Sequence, residues 1–571
     1  MGIKIVSVAE MRAIEDAADK AGHSYAAMMD LAGHGLAEQI PYSGANILIL
    51  VGPGNNGGDG LVAAKYLASE VGANVTAYLL ETRKKTDPLI KAVQEAGVTL
   101  ADYPSDAKNK FQGLHELIAD TDFIVDALFG IGARLPIEGN AATLLTQVHA
   151  AVDKSTERPA IVNPAGSAAP NQKPIIIACD CPSGLDCDTG ELDPLALHAD
   201  VTVTFAAAKS GLFLFPGAEA VGELVIADIG LPQDLPELVN VGLNLADSEF
   251  VKSTLPVRKR NSHKGTFGKA MVIAGSLNYI GAAYLAGKAA YRTGAGLVTI
   301  GAPQAIIPTL AAMLPEATWL LLPHEMGVVH ENAVPILREE IEQYDALLMG
   351  PGFSTEDSAK RFTELVLQSG KPQHPATQKH IGFRFNVPEE PKAVEAKDQV
   401  KLPPMVIDAD GLNLLAEIPD WWTLLPPNTI LTPHPGEFAR LAGLKDEEKG
   451  PSAIEQVQAN RISLAAKYAQ AWNAVVVLKG AFTAVAEPNG HVTLLPFATS
   501  ALATAGTGDV LAGVIVSLLA QGVEPAKAAI AGAWLHGYAG EEAAEGSHFT
   551  AASVIASDVL EALPKALAAV T

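Results

Sequence analysis

The chain has 571 residues, with 40 Lys and Arg against 64 Asp and Glu, so its formal net charge is −24. This charge argues against nucleic acid as a main partner, because binding to phosphates needs a basic surface. The opening MGIKIVSVAEMRAIEDAADKAG lacks a basic-then-apolar signal pattern, and no apolar run approaches the roughly 18 residues of a membrane-spanning helix. We therefore expect a cytoplasmic protein without a membrane partner, long enough for two large domains.

The first half of the chain alternates short apolar runs with Ala-rich or amphipathic segments. The runs are NILILVG, VTAYLLE, FIVDALFG, PIIIACD, VTVTFAAAK and GELVIADIG. This alternation predicts a parallel sheet covered by helices on both faces, which is a three-layer α/β domain.

The alternation fades after residue 232 and restarts after the basic segment LPVRKRNSHKGTFG. The second set of predicted strands is KAMVIAGS, GLVTIGAP, ALLMGPGF, PMVIDADG, TILTPHPGE and AVVVLKGAF, followed by a hairpin around EPNGHV. We place the two α/β domains at residues 1–235 and 248–571. Two polar, proline-bearing stretches, residues 154–173 and 370–401, are interpreted as inserted surface loops.

The three cysteines, Cys179, Cys181 and Cys187, all lie in the segment ACDCPSGLDC. So few cysteines exclude a disulfide framework. A metal site is the alternative, but no fourth soft ligand is nearby. We interpret all three as ordinary buried cysteines.

A glycine-rich loop, VGPGNNGGDG, joins the strand NILIL to a helix. Glycines let backbone amides approach an anion, and the helix N-terminus adds positive potential. Asp59 in this loop is a poor anion ligand, so we expect it to cap the helix, bind a cation or transfer a proton. An Asn-Gly turn with a capping Asp is the purely structural alternative.

Hard oxygen ligands surround the same loop. Asn55 and Asn56 follow one predicted strand, Asp126 ends a second and Ser183 follows a third. Open α/β sheets bind ligands outside the carboxyl ends of their strands, so these side chains are expected to meet at one edge. Amide, carboxylate and hydroxyl oxygens suit an alkali or alkaline-earth cation better than zinc.

Three more features are assigned to this edge. The segment GIGARLP, residues 130–136, offers amides to a phosphate, although one glycine pair is weak evidence. Asp180 is a candidate to hold a ribose or a ring polar group, with a strand-end turn as the alternative. Lys209 either faces an anion or is solvated at the start of a helix.

A second glycine loop, TAGTGDVLAGVIVSLLA, begins at Thr504. Its AGTGD segment is similar to the GAGD-type loop of ribokinase-like enzymes, in which amides form an anion hole and the Asp takes a hydroxyl proton. Gly506, Thr507 and Gly508 are then expected to stabilise a transferring phosphoryl group, with Asp509 as the base. The alternative is an ordinary N-cap on a buried helix.

The neighbouring motifs VIDADGLN, TPHPGE and LKGAFT support this assignment. Lys479 and the backbone of residues 480–483 are expected to hold nucleotide phosphates, and Asp408 and Glu437 to organise magnesium and water. Solvated charges at strand ends are the alternative for each. Two prolines fix the backbone around His434, although a lone histidine is more often merely packed.

The order of these motifs resembles that of the bifunctional NAD(P)H-hydrate repair enzymes of bacteria, over nearly the whole chain. Such enzymes join an NAD(P)H-hydrate epimerase to an ADP-dependent dehydratase. The resemblance implies a Rossmann-like three-layer domain followed by a ribokinase-like α/β domain. The departures are the two inserted stretches and Cys181 before Pro182, and none of them affects a motif residue used here.

The resemblance also implies the substrate, which is NADH or NADPH with water added across the nicotinamide ring. The N-terminal domain would interconvert the R and S hydrates. The C-terminal domain would use ADP to phosphorylate the ring hydroxyl of the S-hydrate and expel phosphate, restoring the double bond and releasing AMP. The expected cofactors are a potassium ion at the epimerase site and a magnesium ion with ADP at the dehydratase site, and we expect a homo-oligomer whose other partners are these small molecules.

The family positions are carried over residue by residue. Potassium would be held by Asn56, Asp126 and Ser183, and Asp126 is also expected to take part in the proton chemistry. The epimerase residues around the hydrate would be Asn55, Asn56, Gly57, Gly58, Asp59, Gly130, Ile131, Gly132, Ala133, Arg134, Leu135, Pro136 and Asp180. In the dehydratase, the positions at the hydrate would be Ala282, Gly352, His434 and the catalytic Asp509, and those at the nucleotide would be Lys479, Gly480, Ala481, Phe482, Thr483 and Gly508.

Two rival classes remain at this stage. A ribokinase-like vitamin or sugar kinase fused to a regulatory domain shares AGTGD but stops at a stable phosphate ester, so its products differ from NADH and AMP. A non-catalytic binding or scaffold role for the first half predicts no epimerase activity from residues 1–235 alone.

Overall fold

The structure, a computed structural model, describes residues 3–156, 173–371, 400–447, 450–545 and 550–571. The chain forms two compact units, Ile3–Val241 and Gly242–Thr571. Almost all of the stretches 154–173 and 370–401, interpreted above as inserted loops, lies outside the described residues. Within the described ranges, no helix combines the length and apolar character that crossing a bilayer requires.

The unit Ile3–Val241 alternates strands and helices along most of its length. Its strands are β1 (Ile3–Val6), β2 (Asn46–Val51), β3 (Asn74–Leu79), β4 (Thr99–Asp102), β5 (Phe123–Ala127), β6 (Ile175–Cys179), β7 (Val201–Phe205), β8 (Ala208–Lys209) and β9 (Glu223–Ala227). Its α-helices are α1 (Val8–Lys20), α2 (Tyr25–Glu38), α3 (Asn55–Tyr66), α4 (Pro88–Glu95), α5 (Tyr103–Asp106), α6 (Gln112–Ala119), α7 (Gly139–Thr156) and α8 (Pro236–Val239).

Seven of these strands, all except β1 and β8, build one sheet in the order β4-β3-β2-β5-β6-β7-β9, with every pair parallel. Both faces are covered, because alternate residues of β2 enter different hydrophobic clusters: Ile47 and Ile49 pack on one side, and Leu48 and Leu50 on the other. After β2, the chain adds β3 and β4 on one side of this strand and then adds β5 on the other side, so the strand order reverses between β2 and β5. That reversal opens a crevice at their carboxyl ends, where α/β sheets bind ligands.

The unit Gly242–Thr571 repeats the architecture with a larger sheet. Its strands are β10 (Leu243–Leu245), β11 (Lys269–Ile273), β12 (Leu297–Pro303), β13 (Thr318–Leu322), β14 (His324–Glu325), β15 (Val328–Val329), β16 (Ala346–Met349), β17 (Met405–Ile407), β18 (Ile430–Leu431), β19 (Val475–Leu478), β20 (Ala484–Ala486) and β21 (Val492–Leu494). Its α-helices are α9 (Ser248–Thr254), α10 (Ile280–Arg292), α11 (Ile307–Met313), α12 (Val334–Glu340), α13 (Asp357–Ser369), α14 (Asp410–Ala416), α15 (Pro435–Leu441), α16 (Ala453–Ala459), α17 (Arg461–Trp472), α18 (Thr507–Ala520), α19 (Pro525–Glu545) and α20 (Ala556–Ala568).

The sheet of this unit runs β13-β12-β11-β16-β17-β18-β19-β20-β21-β10. In this sheet order, every pair of neighbours from β13 through β19 is parallel. Strands β20 and β21 form the antiparallel hairpin predicted around EPNGHV, and β20 is also antiparallel to β19. Helix α18 is apolar along nearly all of its length and is buried from Val510 to Ala520, so it packs inside the unit rather than on its surface. Its N-terminus therefore lies at a fixed point near the carboxyl ends of the strands.

The cysteine segment corrects one prediction. Cys181 and Cys187 form a disulfide, whereas Cys179 is free. All three are buried as expected, and no group of three or more His, Cys, Asp or Glu in the described ranges is arranged to hold a metal ion. A count of three cysteines excludes a framework of several disulfides but still allows a single one. The pairing is possible because a turn, closed by the hydrogen bond from Leu185 N–H to the carbonyl of Pro182, folds the chain back between Cys181 and Cys187.

Candidate active sites

The first candidate site lies at the crevice between β2 and β5, where Leu50 is in register with Asp126. Helix α3 begins at Asn55, directly after the glycine loop, and its N-cap Gly54 supplies no side-chain cap. Asp59 lies inside the helix, so the capping role considered for it is wrong. The first amides of α3 are thus left for a ligand or solvent.

Packing requires glycine at one of the loop positions. A Cβ on Gly57 would lie 2.1 Å from the carbonyl oxygen of Gly52, so a larger residue there would push α3 away from the backbone that follows β2. A Cβ on Gly58 would lie 2.8 Å from Cε of Met29, and the end of that flexible side chain can move aside. Gly57 thus holds the helix start against the sheet edge, and neither glycine lines the cleft described below.

Asp126 and Ser183 form a buried pair at this edge. Ser183 donates its Oγ–H to Asp126 Oδ1 at 2.7 Å and its backbone N–H to Oδ2 at 2.8 Å, and Phe129 N–H donates to Ser183 Oγ at 2.9 Å. Both side chains are fully buried. Burial raises the pKa of Asp126, and the bonds from Ser183 oppose that effect.

Asn56, the third predicted cation ligand, is 8% exposed, and neither its Oδ1 nor its Nδ2 has a hydrogen-bond partner among the described residues. A buried amide left unpaired costs about 1–3 kcal/mol, so such a group points to a missing ion or water. A Cβ on Gly130 would lie 3.0 Å from both Asn56 Oδ1 and Asp180 Oδ2. Asn56 Oδ1 and Asp180 Oδ2 therefore both border the space that a side chain at position 130 would fill.

Asp180 is held by the buried Lys209. Lys209 Nζ donates to Asp180 Oδ1 at 2.6 Å and to Thr204 Oγ1 at 2.8 Å, and Lys209 is 1% exposed. Lys209 therefore faces a carboxylate rather than solvent, and the strand-end turn considered for Asp180 does not describe its side chain. A third carboxyl, that of Asp59, has its pKa raised well above the usual value by burial and then by Asp180 and Glu15.

A cleft of 560 Å³ connects these groups. Of the predicted hydrate residues, those lining it are Asn55, Asn56, Asp59, Gly130, Ile131, Gly132 and Asp180. Ala133, Arg134, Leu135 and Pro136 do not line it, and Asp126 and Ser183 lie behind its wall. The sequence reading missed Arg12 and Glu15 of α1, Tyr25 of α2, and Phe205, all of which line the cleft.

The second candidate site surrounds the N-terminus of α18. Gly506, in the left-handed region with φ 92°, precedes the helix and supplies no side-chain cap, so the capping alternative for Asp509 is wrong as well. Thr507 donates its Oγ–H to the carbonyls of Leu502 and Thr504, both at 2.9 Å, which fixes the turn. The backbone N–H of Thr507 is bonded to the carbonyl of Thr504, whereas those of Gly508 and Asp509 make no backbone hydrogen bond among the described residues and remain available to an anion.

A partly buried lysine, 19% exposed, lies beside this turn. Lys479 Nζ donates to Asp408 Oδ1 at 2.7 Å and lies 3.7 Å from Glu437 Oε2. A Cβ on Gly508 would lie 3.4 Å from the same Nζ, so the start of α18 is within van der Waals reach of the ammonium group. Burial opposes the charge of Lys479, but Asp408 and Glu437 outweigh it and raise its pKa. Asp408 and Glu437 are themselves buried, which excludes the solvated-charge alternative.

This environment raises the pKa of Asp509. Burial, followed by the charge of Asp408, raises its pKa from 3.8 to about 7. Burial also raises the pKa of Glu437. A general base works best when its pKa is near the operating pH, and Asp509 meets that condition.

The remaining predicted hydrate positions have clear structural settings. A Cβ on Gly352 would lie 2.9 Å from Cβ of Ala282, so these two residues are brought together. His434 caps α15 by accepting from Gly436 N–H at 3.1 Å, and its backbone N–H donates to Glu437 Oε2 at 2.8 Å. Burial and then Lys479 lower the pKa of His434 to about 4, so its ring is neutral.

A cavity of 200 Å³ adjoins the lysine and the helix start. It is lined by Lys479, Gly480, Ala481, Thr483, Thr507 and Gly508, together with Leu495, Phe497, Thr499, Leu502, Ala503, Leu511, Ala533, His536 and Gly537. Phe482 is the one predicted nucleotide residue that does not line it, because its backbone N–H is bonded to the carbonyl of Phe497. The apolar wall and His536 were missed by the sequence reading.

Fold and sites together define a two-unit α/β protein, in which one crevice is lined by oxygen-bearing side chains and one helix start brings the Asp509 carboxyl near the partly buried Lys479. Residues 25–211 match the family model described as YjeF-related protein N-terminus, and residues 270–374 and 386–565 match the one described as NAD(P)H-hydrate dehydratase.

Full-length relatives carry the same combination. The bifunctional NAD(P)H-hydrate repair enzyme of Moorella thermoacetica is 35% identical over 526 residues, covering 91% of this chain and 87% of the relative. That of Thermofilum pendens is 32% identical over 555 residues, covering 95% and 92%. The crystal structure of the ADP/ATP-dependent NAD(P)H-hydrate dehydratase from Bacillus subtilis, co-crystallised with ATP and Mg²⁺, is 30% identical, with 57% of this chain and 98% of that chain covered and a TM-score of 0.44.

The chain belongs to the family of bifunctional NAD(P)H-hydrate repair enzymes. This confirms the resemblance found in the motifs, the α/β fold class, and the expectation of an isomerase and a lyase in one chain. The two rival classes, a fused small-molecule kinase and a non-catalytic first half, are thereby set aside.

Proposed function

We propose that residues 1–235 interconvert the R and S hydrates of NADH and NADPH, and that residues 248–571 use ADP to dehydrate the S-hydrate. The reduced cofactor, AMP and phosphate are the products. The observation that carries the second step is the position of Asp509 at the start of α18, near the ammonium group of Lys479, where burial raises the pKa of the Asp509 carboxyl to about 7.

In the dehydration, Asp509 takes the proton of the ring hydroxyl as the oxygen attacks the β-phosphorus of ADP. The amides at the start of α18 and the Lys479 ammonium stabilise the charge on the transferring group, which is the main task in phosphoryl transfer. Phosphate then leaves with the electrons of the carbon–oxygen bond. Loss of the neighbouring ring proton restores the double bond.

The nucleotide is assigned to the cavity beside Lys479, with its phosphates toward Gly480, Thr483 and Gly508. The carboxylates of Asp408 and Glu437 offer the hard oxygen ligands that magnesium prefers. Bound there, magnesium supplies charge neutralisation for the phosphates. The hydrated ring is assigned to the side of Ala282, Gly352 and His434.

In the epimerase, the donor set of Asn56, Asp126 and Ser183 fits a potassium ion. All three side chains are buried and offer oxygen, and the amide of Asn56 has no other partner among the described residues. A potassium ion at this position supplies positive potential next to the bound hydrate. The hydrate itself is assigned to the cleft lined by Asn55, Asp59 and Asp180.

Asp126 is assigned to the ion and, as predicted from the sequence, to the proton chemistry. Its placement behind the cleft wall, with both oxygens accepting bonds from Ser183, favours the ion-holding role. Asp59, which lines the cleft with a raised pKa, has the better position for proton transfer to the hydrate itself.

The test is incubation of purified chain with a mixture of hydrate epimers and either ADP or ATP. We expect reduced-nicotinamide absorbance to return for the whole mixture, with one AMP formed per hydrate when ADP is used. A stable phosphorylated product in place of AMP and NADH would instead assign the site to a kinase. Repeating the assay with residues 1–235 alone tests whether the first domain epimerises independently.

A further inference from the structure

The carboxyl side chains that line the cleft of the first unit fall into an engaged pair and a free pair. They belong to Glu15, Asp16, Asp59 and Asp180. Asp180 accepts from the buried lysine described above, and Asp16 accepts from the Oη–H of Tyr25. Neither Glu15 nor Asp59 makes a hydrogen bond or an ion pair with the described residues. Two carboxyls of this cleft are therefore free to act on a bound ligand.

The two free carboxyls come from different helices and influence each other. Glu15 belongs to α1 and Asp59 to α3, and both are partly exposed. Burial and then the charge of Asp180 raise the pKa of Glu15, with Lys209 and Arg12 opposing them. The charge of Glu15 in turn contributes to the raised pKa of Asp59. Carboxyls that repel each other in this way hold one proton between them, so one is an acid while the other is a base.

The epimerisation proposed for this unit needs both an acid and a base. Water adds to an enamine double bond so that the hydroxyl ends on the carbon next to nitrogen. When that carbon–oxygen bond breaks, its electrons go to the oxygen, which takes a proton and leaves as water, while the lone pair of the ring nitrogen forms a carbon–nitrogen double bond. Water then adds to the opposite face of the planar cation and gives up a proton. No oxidant, reductant or further reactant is consumed.

The geometry of this reaction favours two proton carriers over one. The departing and the incoming water lie on opposite faces of the ring, so a single carboxyl would serve both only if the ring turned over in the cleft. The reverse reaction follows the same path, so the acid of one direction is the base of the other. A pair that holds one proton meets this requirement in both directions.

We propose that Glu15 is a catalytic residue of the epimerase and shares the proton transfers with Asp59, one carboxyl giving a proton to the departing hydroxyl and the other taking one from the incoming water. This inference rests on the proposed function, because it takes the cleft to hold the hydrate and Asp59 to transfer a proton. It assigns the second proton carrier to α1, which lies outside the glycine loop and the strand ends.

The first test is the rate of epimerisation in Glu15→Gln, measured by chromatography from pure R-hydrate. Gln keeps the shape of the side chain but cannot exchange a proton. We expect kcat to fall by about 10² to 10⁴, the usual contribution of a positioned acid or base, with KM within about threefold of the parent. Asp16→Asn is the matched control, because it removes the same charge from the next residue of α1, and its rate should stay within about threefold of the parent. The unfolding temperature of the first unit shows whether each variant folds.

Glu15→Asp separates proton transfer from a purely electrostatic role. The carboxyl and its charge remain, but the side chain is one methylene shorter. A reacting group misplaced by about 1 Å costs up to about 10²-fold, so we expect a rate between those of the parent and Glu15→Gln. If only the negative charge mattered, Glu15→Asp would match the parent and Asp16→Asn would be as damaging as Glu15→Gln.

Heavy-oxygen water tests the chemistry on the parent chain itself. We expect each epimerised molecule to carry one solvent oxygen, after subtraction of spontaneous exchange. A product that keeps its original oxygen, or parental epimerisation in Glu15→Gln, would overturn the proposal while leaving the epimerase assignment intact. Should Glu15→Gln fail to fold, a parental rate in Glu15→Asp would overturn it equally. A parent chain that does not interconvert the hydrates would overturn the proposed function as well.

Discussion

The two glycine loops share one plan and differ in the charges behind it. Each opens a helix with a glycine N-cap, Gly54 in one and Gly506 in the other. The first loop directly follows β2, whereas the second follows β21 and the short 3-10 helix Ser500–Leu502. Each carries an aspartate within its helix, Asp59 or Asp509, whose pKa is raised by burial. The local sequence logic is therefore the same in both units.

The side chains next to the two loops differ, and we infer that this difference separates their functions. Both units have a lysine bonded to a carboxylate, Lys479 to Asp408 and Lys209 to Asp180. In the second unit Lys479 lies beside Gly508 at the helix start, whereas the first unit has an unpaired buried amide, that of Asn56, at the helix start. A glycine loop thus indicates a helix start suited to negative charge, whereas the groups behind it decide between a phosphate and a cation.

The largest expected effect comes from Asp126→Ala. The change removes the carboxylate that accepts both bonds from Ser183, so we expect epimerisation to fall to the uncatalysed rate. The dehydratase should still consume the S-hydrate, which serves as the internal control for folding. Chromatographic separation of the epimers measures the effect. Equilibration as fast as in the parent, after subtracting the spontaneous rate, would show that the first site is wrongly assigned.

Asp509→Asn should lower the dehydration rate by a factor of about 10² to 10⁴, the usual contribution of a positioned base. Asn keeps the shape of the side chain, and epimerisation should be unchanged, so the two activities control for each other. The rate of NADH formation from pure S-hydrate with saturating ADP is the measurement. Near-parental dehydration would remove Asp509 from the mechanism.

The pH dependence of dehydration should follow Asp509. Its pKa is raised from 3.8 to about 7, so the base form is present above that pH and is lost as the pH falls. We expect kcat/KM to decrease by about tenfold per pH unit well below 7. A rate that stays level down to pH 5 would contradict the assignment of a base with this pKa.

The smallest effect concerns potassium and Asn56. We expect potassium at tenfold its dissociation constant to stabilise the parent by about 1.4 kcal/mol, seen as a rise in the unfolding temperature of the first unit. Asn56→Ala should remove most of this gain. Without potassium the variant should be no less stable than the parent, because the unpaired amide is gone. Sodium at the same ionic strength controls for general salt effects.

Much of this comparison was predictable because the signals are local. Apolar runs bounded by glycine loops located β2, β5 and β17, and strand-end charges such as Asp408 proved to be buried and paired. Lys479 and Gly508 were assigned to one site although they lie far apart along the chain, because parallel strands and their helices meet at one sheet edge.

The missed residues depend on packing between elements that are distant in sequence. Arg12 and Glu15 belong to an amphipathic helix whose charged positions look like a solvated face. His536 lies in an Ala-rich helix with no motif around it, and its hydrogen bond to the carbonyl of Thr507 forms only when α19 packs against the start of α18. Gly57 matched the binding motif, yet the structure shows that close contact with the backbone of Gly52 is what requires glycine there.

The most direct test of the account is the end point of repair with a mixture of hydrate epimers and excess ADP. If the two units perform successive steps, the parent returns the whole mixture to reduced cofactor. Asp126→Ala then slows to the rate of spontaneous epimerisation once the S-hydrate is consumed, and Asp509→Asn equilibrates the epimers while forming NADH about 10² to 10⁴ times more slowly than the parent. An Asp126→Ala chain that still completes repair at the parental rate, or an Asp509→Asn chain that still forms NADH at the parental rate, would contradict the division of labour between the two sites.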